Sequence, residues 1–378
     1  MIYLDNAATT RVCPEAADAA MKCMTEGFGN PSSTHGPGRE ARAALKRART
    51  DIAASIGAAP EELYFTAGGT EGDNWAIRSG AKLMRRQGMH IISSAAEHDA
   101  VRRSLDALEA EGYEVTRLAP DKTGAVSAAD VAAALREDTV LVSLMLVNNE
   151  TGAVTDIPAV ARALKAAGSK ALLHTDAVQA FCKVPFSVKS LGADMITLSG
   201  HKIHAPKGVG ALYVKKELRR FPPLLFGGGQ EEGRRSGTEN MPGILAFAAA
   251  VNAARADRGA AERMGALRQR AVDALSSALP GLVQVNGGGA PHILNLSFPG
   301  YKSEHLLNQL DEWGICVSQG SACKKGARSH VLEAMLLNPR AIDGAIRISL
   351  CRFTTESEID ELCQALSRAL ERFAPVRK

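Results

Sequence analysis

The chain has 378 residues, 46% of them hydrophobic and 23% charged, which is enough for a large core and two domains. With 45 basic and 41 acidic residues the net charge is +4, too slight to point to nucleic acid. The seven cysteines are irregularly spaced without a CxxC pair, which disfavours a disulfide framework or structural zinc site and fits a reducing, cytoplasmic setting. The first residues lack the basic segment and apolar run of a signal peptide, and no apolar run is long enough to span a bilayer.

Residues 1–13 read as an ordered arm, and Pro14 suits the first turn of a helix over 14–26. The loop GFGNPSSTHGPG (27–38) is dense in breakers. An amphipathic helix over 39–56 follows, ended by Gly57. From residue 62 the pattern alternates. Strands are expected at 63–66, 90–93, 113–118, 139–147 and 170–175, with helices at 70–87, 98–111, 127–136 and 157–167. Two more strands, 194–198 and 209–214, flank the loop SGHKIHAPKG (199–208). Such apolar strands between helices predict an α/β domain with a mostly parallel sheet covered on both faces. Ligands of these sheets bind beyond the carboxyl ends of the strands. That rule gathers Gly68, Gly69, Thr70, Glu97, His98, Asn148, Asn149, Glu150, Asp176 and Lys202 at one edge.

A second breaker-rich loop covers 226–242, and a long alanine-rich helical region covers 243–279. The alternation then changes, with strands at 283–285, 292–298 and 345–350 and helices at 303–312 and 356–373. The expected organisation is a large α/β domain, 14–255, and a smaller α+β domain, 256–378, joined by the arm 1–13.

Several residues carry chemistry at these positions. Lys202 sits on a short loop between buried strands, with Ser199 and Gly200 small enough to let a ligand approach. A lysine of lowered pKa there forms a Schiff base with an aldehyde; a solvated loop lysine is the ordinary alternative. AGGTE (67–71) joins a strand to a helix and offers a phosphate site at the helix N-terminus, or a turn and cap only. It matches neither the dinucleotide fingerprint nor a Walker loop. Asp176 ends a strand, where a carboxylate can keep a pyridine nitrogen protonated or simply cap a helix. His98 opens a helix and can stack on a ring, shuttle protons or cap. Cys323 lies in VSQGSACKKGAR (317–328), where nearby positive charge favours the thiolate. Arg347 alternates with apolar residues in a strand. It can clamp a carboxylate with two hydrogen bonds or lie on a sheet surface.

In chain order the motifs are YLDNAATT (3–10), NPSS (30–33), FTAGGTE (65–71), EH (97–98), NNETG (148–152), HTDAVQ (174–179), SGHK (199–202), RSGTEN (235–240), GSAC (320–323) and Arg347. Together they resemble the cysteine desulfurases of the NifS/IscS type. These are pyridoxal-phosphate enzymes of the class V aminotransferase fold that supply sulfur for iron–sulfur clusters. The resemblance implies the type I pyridoxal-phosphate-dependent transferase fold, aspartate aminotransferase-like, with a mostly parallel sheet of the seven-stranded type.

It also implies roles. Lys202 would carry pyridoxal 5′-phosphate as a Schiff base and then move the substrate α-proton. Asp176 would pair with the pyridinium nitrogen, Gln179 would bond the ring oxygen, and His98 would stack on the ring and share in proton transfer. Gly69, Thr70, Ser199 and His201 would hold the phosphate, and Thr238 would reach a phosphate across a homodimer interface. Asn149, beside the cofactor, and Arg347 would orient the carboxylate of L-cysteine. Cys323 would take the sulfur, leaving L-alanine and a persulfide for an acceptor protein, an iron–sulfur scaffold or a thiolation enzyme. No permanent metal, nucleic acid or membrane contact is implied, though Cys323 could touch an iron–sulfur cluster transiently. The rivals are a selenocysteine lyase of the same fold and a non-catalytic, cofactor-binding sulfur-relay scaffold. Two features depart from the family pattern. The segment from Cys323 to Val331 is shorter than in the nitrogen-fixation type, and Cys351 stands where glycine is usual, read here as packing.

Overall fold

A computed structural model describes residues 1–218, 220–319 and 328–373. The arm opens with β1 (Ile2–Tyr3), followed by α1 (Pro14–Thr25) and α2 (Gly36–Ser55). The alternation then runs β2 (Leu63–Thr66), α3 (Gly69–Met84), β3 (His90–Ser94), α4 (Asp99–Ala110), β4 (Glu114–Leu118), α5 (Ala128–Ala134) and β5 (Thr139–Ser143). It continues with α6 (Ile157–Ala166), β6 (Leu172–Asp176), the single turn α7 (Val188–Leu191), β7 (Met195–Ser199) and β8 (Gly210–Val214). The rest comprises α8 (Met241–Ala256), α9 (Ala260–Ala278), β9 (Gln284–Val285), β10 (Ile293–Ser297), α10 (Ser303–Glu312) and β11 (Ile315–Cys316). It closes with α11 (His330–Ala334), α12 (Pro339–Asp343), β12 (Ala345–Ser349) and α13 (Glu356–Arg372).

Seven strands form one sheet in the order β2-β8-β7-β6-β5-β3-β4. β5, β6, β7 and β8 are buried at every residue, as strands covered on both faces must be. Only β8 runs against the others, pairing antiparallel with both β2 and β7. The β7–β8 connection therefore turns back at the carboxyl end of β7, and Lys202 stays on the edge where β2, β3, β5 and β6 also end. Separate apolar clusters pack the sheet, one including Phe247 and Ile196, the other Trp75 and Ile91. A further core, with Leu4, Leu296, Ile348 and Leu366, lies under the antiparallel sheet β12-β10-β9 and its helices.

Three local expectations change. The helical region over 243–279 is two helices, parting at Asp257, whose ψ of 74° leaves the helical range, and Gly259. Alanine-rich composition hides such a break, because propensity stays high on either side of it. The strand expected over 139–147 is regular only to Ser143, although the N–H groups of Leu144 and Leu146 still donate to the carbonyls of His174 and Asp176. The chain then turns through Asn148–Gly152, and Val147 bridges to Val154. The short β11, unread in the sequence, pairs in parallel with β1 and ties the arm to the second core.

The loop 225–240 is pinned to the edge of the large sheet by a buried ion pair. Arg49 donates through Nη2 to Oε1 of Glu231 at 2.6 Å and through Nη1 to Oε2 at 2.7 Å. Oε2 also accepts from the Phe65 N–H at 2.9 Å. Glu231 holds this position at φ 49°, with its side chain 2% exposed. Glu231→Ala removes the carboxylate partner of Arg49, which keeps its bond to the Leu63 carbonyl, and the acceptor of the Phe65 N–H, so it is expected to lower unfolding free energy by about 3 kcal/mol. Chemical denaturation checks this, and a change below ~1 kcal/mol contradicts it.

Candidate active site

Beyond the carboxyl ends of the strands lies a cavity of about 590 Å³. Gly69, Thr70, His98, Asn149, Asp176, Gln179, Ser199, His201, Lys202 and Arg347 all line it. Thr238 does not; it is exposed on the loop before α8. Cys323 lies outside the described residues, which resume at Arg328, itself part of the wall.

Lys202 follows β7 in a single 3-10 turn. Its Nζ donates to the carbonyls of Ala7 at 2.7 Å and Ala8 at 2.6 Å, both in the arm. Burial and the neighbouring Arg347 guanidinium push the amine down to about 8, against the pull of Asp176 and Asp5. Such an amine is a nucleophile near neutral pH, where a solvated lysine is not.

At one end of the cavity α3 begins. Gly68 takes φ 152°, a conformation that suits glycine, and turns the chain from β2 into the helix. A Cβ on Gly69 would meet Val178 Cγ2 at 2.9 Å, so the glycine lets these two loops close. The first backbone N–H of the helix paired within it is that of Gly72, which leaves those of Gly69 and Thr70 directed outward. Together with the helix dipole they attract an anion. Ser199 Oγ beside them is buried without a partner. His201, at about 4, is kept neutral by burial, with Lys202 and Lys207 adding to the effect, and its Nδ1 lies 3.2 Å from Thr9 Oγ1. Glu71 is turned away to a two-bond pair with Arg235.

Asp176 ends β6, and its Oδ1 accepts from the Val178 N–H at 2.9 Å. Gln179 donates through Nε2 to the Ala7 carbonyl at 2.9 Å, and its Oε1 is buried without a partner. His98 caps α4, with Nδ1 accepting from the Ala100 N–H at 3.1 Å. In the neutral ring the proton is therefore on Nε2.

Two further buried acids stand by Asp176. Asp73, one turn beyond Thr70 on α3, is 1% exposed and lines the cavity with Oδ1 unpartnered. Glu97 accepts from the Met145 N–H through Oε1, and its Oε2 is unpartnered. Burial pushes Asp73 and Glu97 well above the carboxylate range, and the charge of Asp176 adds to both. Burial raises Asp176 as well, but His98, the Val178 N–H and Lys202 oppose that rise. Of the three, Asp176 is the one whose neighbours favour the charged form. Behind Asp73, His174 stays neutral at about 3 through burial, between Ser143 Oγ at 2.8 Å and Thr197 Oγ1 at 3.0 Å. The sequence reading missed Asp73, although its spacing of three from Thr70 places both on one helix face.

On the opposite wall Arg347 of β12 donates through Nη1 to the Asn149 carbonyl at 2.8 Å. Its side chain is 2% exposed. Cys351, four residues on, is a partly buried free thiol near Thr354, whose Oγ1 accepts from the Cys351 N–H at 3.0 Å. Among the described residues no cluster of ligands could hold a metal ion, and no helix is long and apolar enough to cross a membrane.

Comparison with known proteins agrees with this layout. The aminotransferase class-V family model matches residues 2–362. The chain is 44% identical over 381 residues to cysteine desulfurase 2 of Trichormus variabilis, covering 100% of this chain and 94% of that protein. Among solved structures it is similar to a NifS-like protein at TM-score 0.92 and 36% identity, covering 98% and 100% of the two chains. It is also similar to a structure described as SspA in complex with cysteine, at TM-score 0.81 and 32% identity, covering 94% and 100%.

Lys202 loses its proton near pH 8 in the folded protein and near 10.4 in the unfolded chain. Between those values the unfolded chain binds the extra proton, so this residue's contribution to stability rises with pH. Lys183, pushed to about 7 by burial, adds a similar rise of its own. Melting temperatures of ligand-free wild type and Lys202→Met from about pH 7 to 10 isolate the Lys202 part. The wild type is expected to gain on the variant as pH rises past about 8, and parallel curves contradict it.

Proposed function

The chain belongs to the class-V aminotransferase family, and we propose that within it this protein is a cysteine desulfurase. It removes sulfur from L-cysteine, leaves L-alanine and holds the sulfur as a persulfide on Cys323. The observation that carries this reading is one cavity lined by a desolvated lysine, the strand-end carboxylate Asp176, a capping histidine and a buried arginine.

The residues present fit pyridoxal 5′-phosphate. Ser199 Oγ and Gln179 Oε1 are buried without partners, and the glycine turn leaves backbone N–H groups of α3 unpaired for an anion. Gly69, Thr70, Ser199 and His201 would hold the phosphate, with Thr238 contributed by the second subunit of a homodimer. Asp176 would hold the ring nitrogen, Gln179 the ring oxygen, His98 the ring face and Lys202 the aldehyde carbon. Bound there, the group supplies an electron sink for the substrate's carbon atoms.

The chain's own residues supply the rest. Arg347 and Asn149 receive the α-carboxylate and orient the amino acid. Lys202 Nζ takes the proton from the α-carbon and returns one, a task matched to its lowered pKa. His98 Nε2 presents its proton to the cavity. Cys323 attacks as the thiolate. A sulfur–sulfur bond forms while the substrate's carbon–sulfur bond breaks, and that bond's electron pair passes to the carbon side. The carbon takes up a proton to become the methyl group of alanine. The acceptor of the persulfide is a sulfur-carrying protein, an iron–sulfur scaffold or a thiolation enzyme, in the cytoplasm. The two-domain division at 255/256 is supported by the helix break at Asp257 and by the separate core around β10 and β12.

Purified protein with pyridoxal phosphate is expected to show a visible absorption band and to make alanine and sulfide from L-cysteine. Lys202→Ala abolishes the band's normal form and lowers turnover by roughly 10² to 10⁴. Cys323→Ala keeps the band and loses turnover. A protein that stays colourless and yields no alanine overturns the reading.

A further inference from the structure

Arg347 already has an anionic partner. Its Nη2 donates to Asp5 Oδ1 at 2.7 Å, while Nη1 is engaged with the Asn149 carbonyl. Asp5 is placed by the backbone around it. It bridges in parallel to Ser349, the next residue but one after Arg347, and its neighbours continue the seam. Asn6 Nδ2 donates to the Ser349 carbonyl and the Ala7 N–H to Ser349 Oγ, each at 2.9 Å. The carboxylate is therefore held against the guanidinium, 21% exposed beside an arginine that is 2% exposed. None of the steps above uses it.

We propose that Asp5 is a resident counter-ion that competes with the amino acid's α-carboxylate for Arg347, and so sets how tightly substrate and product are held. The proposal rests on the reading that Arg347 receives that carboxylate. A buried guanidinium left bare is costly, and Asp5 removes that cost in the empty site. An arriving carboxylate meets an arginine already neutralised and a second carboxylate beside it, which offsets the attraction. When L-alanine leaves, Asp5 is there to take the guanidinium again. Because substrate and product carry the same carboxylate, the effect is uniform weakening of ground-state binding, seen in KM and in product inhibition.

A purely mechanical role, riveting the arm to β12, predicts the opposite sign. Asp5→Asn keeps the size and an acceptor oxygen for Nη2 and removes the charge. In the holoenzyme it is expected to lower the inhibition constant of L-alanine and the KM for L-cysteine roughly three- to tenfold. L-Alaninamide, which lacks the carboxylate, is expected to bind equally to both proteins. L-Alanine is also expected to raise the melting temperature of the variant more than that of the wild type. Unchanged or weaker binding of L-alanine by the variant overturns the proposal. Asp5→Ser, smaller and also neutral, serves where the asparagine variant does not fold, with the same expected direction. Arg347→Ala with Asp5 intact tests the underlying reading separately. It is expected to abolish the preference for L-alanine over L-alaninamide, and a preference that survives shows that Arg347 is not the carboxylate site.

Discussion

The hydrogen bonds from the Lys202 amine to the Ala7 and Ala8 carbonyls organise this molecule. They fix the amine on a short loop that could otherwise swing, and they do so with backbone oxygens, which do not titrate. The same few residues of the arm reach Gln179 through the Ala7 carbonyl and Arg347 through Asp5. Thr10 adds bonds to the carbonyl of His201 and the N–H of His204. A segment with almost no regular structure thus ties together groups on two sides of the cavity. One set belongs to the large sheet and the other to β12.

The electrostatic design follows from that enclosure. Asp176, Asp73 and Glu97 are buried close together, and burial works against the charge of each. The structure distinguishes them by their partners. Asp176 has an N–H donor, an imidazole and the lysine within reach, while one oxygen each of Asp73 and Glu97 has nothing to accept from. Neutral histidines complete the arrangement, since burial disfavours a second proton on both His174 and His201. The amine, depressed for the same reason, is reactive without a dedicated base beside it.

The alternation of the large sheet was legible because strands buried on both faces read as unbroken apolar runs. The edge where they end follows from the parallel topology, and Lys202, Asp176, His98 and the Gly68 turn were found there by position alone. Alternation with Ile346 and Ile348 marked Arg347 but left a sheet-surface arginine equally open, and only the family resemblance gave it a role. Other features had no local signal. Asp5 and Arg347 are 342 residues apart, and no periodicity connects them. Asp73 sits among ordinary helix residues, and its significance comes from Asp176 at the end of β6. The break between α8 and α9 is invisible to composition because both halves favour helix. Cys323 was read from motif and charge, and it lies outside the described residues.

The seam between residues 5–7 and Ser349 has a consequence for how the protein is made. A chain emerging from the ribosome can form the large sheet long before residue 349 appears. Until then the strap has nothing to fasten to on that side, and Asp5 has no guanidinium to accept from. The fastening of residues 5–7 and the bond from Arg347 to Asp5 are thus completed together, near the end of synthesis.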